Sequence, residues 1–159
     1  MGSELQIAFT FPAMLGSGLI AGAFFAFSGF VMRALGCLPE TQGIAAMQSI
    51  NVAAINPVFL GVFLGTAALC GVLAIQSLLD WQSSRAPWLL AGGLAYLLGC
   101  FLVTMAGNVP LNNALAAVAP DTGAGAELWR GYLVRWTAWN HVRTAASLLA
   151  MACFAVALR

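Results

Sequence analysis

Long uncharged stretches constrain this chain more than any motif in it. Apolar residues run from Leu5 to Met32, from Pro57 to Leu79, from Pro87 to Met105, and through the second half of Leu128–Leu158. A helix needs about 20 such residues to cross roughly 30 Å of hydrocarbon. Of 159 residues, 62% are hydrophobic and only 7% charged, with a mean hydropathy of +0.92. A soluble globule carries nearer ~25% charge. Lipid offers the backbone no hydrogen bonds, so the chain must satisfy its own within helices. The expected fold is therefore all-α. It is a four-helix transmembrane bundle, one integral membrane domain over 1–159, with spans at about 5–33, 56–79, 87–106 and 128–158.

Charge excludes other classes. A net charge of +1 with no basic stripe predicts no nucleic-acid partner. The opening "MGSELQ" has no basic n-region, and the long apolar run behind it is unlike a cleavable signal. Gln6 stands where myristoylation requires Ser or Thr. Of the four cysteines, Cys70, Cys100 and Cys153 lie inside apolar runs and Cys37 in a polar loop, with no CxxC and no zinc spacing. They read as small packing residues.

Helix signals are local. Asn56 followed by Pro57 is an N-cap and first-turn pair, Pro87 repeats the device, and Pro12 marks a start or kink. Gly18–Gly22 and Gly61–Gly65 give the small-xxx-small spacing that lets membrane helices approach, so a homo-oligomer built on these GxxxG faces is expected. Between spans one and two, Gln48, Asn51 and Ile55 share one helical face, in a short helix lying in the interface or capping the bundle. After span three, "GNVPLNN" reads as a polar turn broken at Pro110. Arginines stand at both bundle ends, Arg85 and Arg159 against Arg33, Arg130 and Arg135, so the positive-inside rule assigns no orientation.

The scarce polar side chains collect at one membrane level. They are Gln48 and Asn51 before span two, Asn108, Asn112 and Asn113 after span three, and "WTAWNHVR" entering span four. Such residues inside a membrane are costly and usually face an interior or a cavity. At 100° per residue, Trp129, Tyr132, Trp136, Trp139, Asn140, Arg143 and Ser147 share one face of the last helix. His141 points the other way, beside Val134 and Thr137. The expectation is a pocket shared by the amide-rich turn and this stripe, with Tyr132, Trp136 and Trp139 as its aromatic wall. Plainer readings stand beside it. The tryptophans serve as interface anchors, the asparagines as caps, and His141 as a structural hydrogen bonder. No motif binds phosphate, and the spans lack the carboxylates of a di-iron bundle. No metal is expected.

Taken together, "MQSINVAAINPVF", "GNVPLNNAL" and "WNHVRTAASLLA" resemble the anthrone oxygenase-like family of small integral membrane proteins. The resemblance runs from span one to the last helix. Characterised members oxidise an anthrone to an anthraquinone with molecular oxygen. Carried over by motif, it points to Asn108, Pro110, Asn112, Asn113, Trp139, Asn140, His141 and Arg143. It implies a membrane-embedded monooxygenase for an aromatic, polyketide-like or other hydrophobic small molecule, with O2 as co-substrate and no organic cofactor. Histidine titrates near neutrality when unperturbed, so His141 is the candidate base. Asn140, Arg143 and one of Asn112 or Asn113 are the candidate oxyanion donors. The competing class is a non-catalytic membrane module that binds a lipid- or quinone-like ligand or a partner protein.

Overall fold

The computed structural model describes residues 3–159, apart from the side chains of Ser3 and Leu5. Met1 and Gly2, part of the opening read above, lie outside the described residues. The described residues are all-α, as five helices in chain order: α1 (3–36), α2 (Glu40–Ala53), α3 (Pro57–Leu79), α4 (Ala86–Ala116) and α5 (Gly123–Ala157). Three of them, over Gln6–Gly36, Pro57–Leu79 and Ala86–Ala116, are long and apolar enough to cross a membrane. In α5 the polar run through Asn140, His141 and Arg143 interrupts the apolar sequence.

Four long helices pack as a ring, with α1 beside α3, α3 beside α4, α4 beside α5, and α5 back along α1. The short α2 lies across one end, against the ends of α1 and α4 and the start of α5. Asn56 makes the α2–α3 corner. Its Oδ1 accepts from Val58 N (3.1 Å) and Phe59 N (2.9 Å), while its Nδ2 donates to the Ala53 carbonyl (2.9 Å). One side chain thus ends one helix and starts the next. Thr122 caps α5 in the same manner, accepting from Gly125 N at 3.1 Å.

The polar turn expected at Pro110 is instead part of α4, which continues to Ala116. The physical reason lies just upstream. The backbone widens into π-helix over Ala95–Leu102 and Thr104–Asn108, and Val109 N–H reaches back to the Thr104 carbonyl. A widened turn absorbs the missing donor and the crowding of a proline without ending the helix. A second π-helical turn, Phe27–Val31, interrupts α1.

The core divides in two. Toward the α3–α4 turn, Ile20, Leu73, Leu89, Tyr96 and Phe154 form an apolar centre. Toward α2, Met32, Ile44, Met47, Leu115, Trp129, Tyr132 and Trp136 form a second one, rich in aromatic rings. Close approach runs through glycines of α4 and, of the GxxxG positions, through Gly18, where a Cβ would meet Met151 Sδ at 2.9 Å. A Cβ at Gly92 would collide with the Phe154 ring, and one at Gly107 with the Trp139 indole. At Gly61 and Gly65 a Cβ would meet nothing within 4 Å. That face of α3 points outward.

Candidate functional site

The polar residues of α5 sit on its buried side. Asn140 is fully buried and Arg143 is 4% exposed. Asn140 Nδ2 donates to the Phe24 carbonyl (2.7 Å) and to Ser28 Oγ (2.6 Å), both on α1. Its Oδ1 accepts from Arg143 Nη2 at 2.6 Å. Arg143 Nη1 donates more weakly to Thr104 Oγ1 at 3.3 Å. Its guanidinium carbon lies 4.0 Å from the centroid of the Phe24 ring and 5.1 Å from that of Trp136.

A buried guanidinium normally requires an anion. Among the described residues, the one ion pair joins Arg130 to Glu40, far out on the surface. Arg143 is held by dipoles and ring faces instead. A desolvated cation over a ring gains on the order of 2 kcal/mol, less than the cost of burying an ion. Part of that cost remains uncompensated. Arg143 Nε, Ser147 Oγ, Asn108 Oδ1 and Asn51 Nδ2 are buried without hydrogen-bond partners.

The amide-rich segment does meet the aromatic stripe. Asn108 Nδ2 donates to the Trp136 carbonyl (3.1 Å). Asn112 Oδ1 accepts from both Tyr132 Oη (2.9 Å) and Trp136 Nε1 (2.8 Å). Trp129, Tyr132, Trp136 and Phe27 form a continuous ladder with centroid spacings of 5.5, 6.1 and 5.7 Å. Asn51 faces the Tyr132 hydroxyl, short of a regular hydrogen bond. The two segments touch directly, amide against ring.

Other candidates lie apart from that contact. Gln48 Nε2 donates to the carbonyls of Leu115 (2.8 Å) and Val118 (3.0 Å), so it pins the end of α4. Asn113 is exposed. Trp139 is 45% exposed and lies over Gly107 from outside. His141 is exposed on the opposite side of α5 from Arg143. There it lines two adjoining grooves between α1 and α5. One, of about 540 Å³, runs past Ser28, Met32, Arg33, Leu133 and Thr137. The other, of about 220 Å³, runs past Phe25, Ser28, Thr144 and Leu148. The first lies within the volume range of small-molecule sites.

Three residues of this region escape a reading of the sequence. Phe24 supplies a ring and a carbonyl, Thr104 a hydroxyl, and Ser28 joins the buried network to the grooves. The sequence offers no signal that sets Ser28–Gly29 apart from Ser17–Gly18 in the same apolar run.

The family model for anthrone oxygenase matches residues 59–153, more than half of the chain, and the chain belongs to that family. No curated protein and no solved structure matches it.

Proposed function

We propose that this anthrone oxygenase family member is a membrane-embedded oxygenase, and that a flat aromatic substrate sits in the α1–α5 groove with its acidic methylene at His141. In this reading α5 also crosses the bilayer, because its apolar half beyond Arg143 packs between α1 and α4. The observation that carries the proposal is the arrangement around Asn140. The single histidine and the Ser28 hydroxyl line the same groove, and behind Ser28 stands the buried Asn140–Arg143 pair.

The chemistry uses O2 and the side chains, with no organic cofactor. The neutral imidazole of His141 takes one methylene proton, leaving a carbanion whose charge is shared with the ring carbonyl oxygen. That anion passes one electron to O2, and the resulting radical pair combines to form a C–O bond. The imidazolium returns its proton to the peroxide. Loss of the second methylene proton, with cleavage of the O–O bond and departure of hydroxide, gives the new carbonyl and water. One O2 enters; one oxygen atom stays in the product. Positive potential from Arg143, relayed through Asn140, favours the anion, since dipoles fixed in a dry site act strongly on developing charge. The aromatic ladder is outside the groove and keeps the network rigid.

Detergent-purified protein supplied with an anthrone should consume oxygen and yield the quinone carrying one atom from 18O2. His141→Ala should abolish this while remaining extractable. Oxygen uptake no faster than that of heat-denatured protein would end the oxygenase reading. A second reading has its own observation, the outward Gly61–Gly65 face. It fits self-association or a partner helix in the bilayer, and in a non-catalytic module it would be the functional surface. Under that reading neither oxygen uptake nor product formation responds to His141→Ala.

A further inference from the structure

Ser28 differs from six other helical hydroxyls. Thr10, Ser17, Ser49, Ser77, Thr104 and Thr144 each donate to a carbonyl three or four residues back on their own helix. For Ser28 that carbonyl belongs to Phe24, and it is occupied by Asn140 Nδ2 at 2.7 Å. The other Asn140 N–H fills a lone pair of Ser28 Oγ at 2.6 Å. A hydroxyl has one proton to give. Asn140 thus uses up the acceptor that a helical serine ordinarily takes, and Ser28 lines both grooves.

The orientation of Asn140 is itself fixed. Its Oδ1 holds Arg143 Nη2 at 2.6 Å, so both of its N–H groups must point toward α1. A buried cation therefore polarises an amide, and the amide polarises a hydroxyl. Hydrogen bonds in such a chain strengthen one another. The π-helical turn Phe27–Val31 carries Ser28, at a kind of backbone widening that often accompanies functional sites.

From this geometry we infer that Ser28 is a catalytic residue, the hydrogen-bond donor to the oxygen of a phenolic or enolic ligand bound in the groove. Asn140 and Arg143 are the positioning residues that aim it. Ser28 lies outside the segment matched by the family model, 59–153, so the family match does not assign it. The groove suits such a ligand. Phe25, Met32, Leu133 and Leu148 offer apolar walls, and the charged or titratable side chains along it are His141, Arg33 and Cys37. Arg33 stands at the rim, about 7–8 Å along α1 from Ser28 by helix rise. The assignment rests on the oxygenase reading for its catalytic meaning, whereas the donor itself is testable without turnover.

The test uses 1,8-dihydroxyanthraquinone, a dye whose visible absorption shifts to the red when a phenol ionises. It is bound to the purified full-length protein in detergent at fixed pH. Wild type should hold a larger phenolate fraction than free dye in the same detergent. Ser28→Ala should lower the bound phenolate-to-phenol ratio about tenfold, as expected for one hydrogen bond to a charged acceptor, and Ser28→Thr should restore it. Arg143→Met should lower it in the same direction by less. In the oxygen assay Ser28→Ala should cut kcat about a hundredfold with little change in KM. A bound dye whose phenolate fraction is the same in wild type and Ser28→Ala overturns the assignment, as does a wild type that binds no dye. If the Ser28 dependence appears but wild type oxidises no anthrone, the donor stands and the oxygenase reading falls.

Discussion

The two sides of α5 were built for opposite ends. On one, Trp129, Tyr132, Trp136, Asn140, Arg143 and Ser147 are all buried, and Tyr132, Trp136, Asn140 and Arg143 each hydrogen-bond to another helix. On the other, Val134, Ala138 and His141 are exposed beside a groove that α1 borders but does not fill. Within three residues the helix passes from a fully buried amide to an exposed imidazole and then back to a buried guanidinium. The first face holds helices together. The second leaves space. What the contrast teaches is that the densest polar cluster of a helix can lie on the side opposite its open groove, with one side chain, Ser28, in contact with both.

The sharpest way to break that division is at His141. If the open face carries the chemistry, His141→Ala should lower anthrone oxidation by about a hundred- to ten-thousandfold, the usual contribution of a general base. The melting temperature in mild detergent should hold, because an exposed ring supports little packing. A variant that loses activity only in proportion to its loss of folded protein would move His141 to the structural side.

Arg143 tests the closed face. Arg143→Ala removes the guanidinium from Phe24, Trp136, Asn140 and Thr104 together and leaves the Asn140 acceptor buried and empty. A loss of about 3–5 kcal/mol is expected for truncating a buried, hydrogen-bonded group of this kind. Arg143→Met keeps most of the volume and removes a charge that was never paired, so it should cost clearly less. Thermal unfolding in detergent ranks the two. Equal melting temperatures would show that the guanidinium's own contacts, rather than packing volume, account for the whole effect.

Asn112→Ala comes next. One carbonyl oxygen serves both the Tyr132 hydroxyl and the Trp136 indole N–H, so its removal strands two buried donors at about 1–3 kcal/mol each. Tyr132→Phe in the same background should recover part of the loss, since the stranded hydroxyl is then absent. Failure of the second substitution to help would mean that Tyr132 finds another acceptor, Asn51 being the neighbour at hand.

Much of this fold was legible in the sequence for simple reasons. The length of the apolar runs located the helices, Asn56–Pro57 fixed one start within a residue, and the 100° wheel placed Trp129, Tyr132, Trp136, Asn140 and Arg143 together and turned His141 away. Two kinds of feature were not legible. The π-helical turns arise from register shifts that leave no pattern in hydropathy, so the sequence around Pro110 read as a break where the helix runs on. Contacts across helices also escape a one-dimensional reading. Trp139 belongs to the stripe by angle, yet it sits at the stripe's edge and slides over Gly107. Gln48 looked like a ligand donor because its preference for the carbonyls of Leu115 and Val118 depends on how α2 crosses the bundle end. Ser28 was silent because its significance comes from Asn140, 112 residues away.

The smallest effect expected marks the outer limit of the closed face. Arg130 Nη1 meets Glu40 Oε1 at 2.9 Å, joining α5 to α2, with the two side chains 64% and 42% exposed. An exposed pair of this kind contributes about 0–1 kcal/mol, against the Gln48 clamp and the Met47–Trp129 core that already hold α2 in place. Glu40→Gln should therefore shift the melting temperature slightly, and the shift should vanish in high salt, where surface charges are screened. Persistence of the shift in high salt would mean that α2 is held less by its buried side than the packing indicates, and that the end of the bundle beside the groove opens more readily than its core.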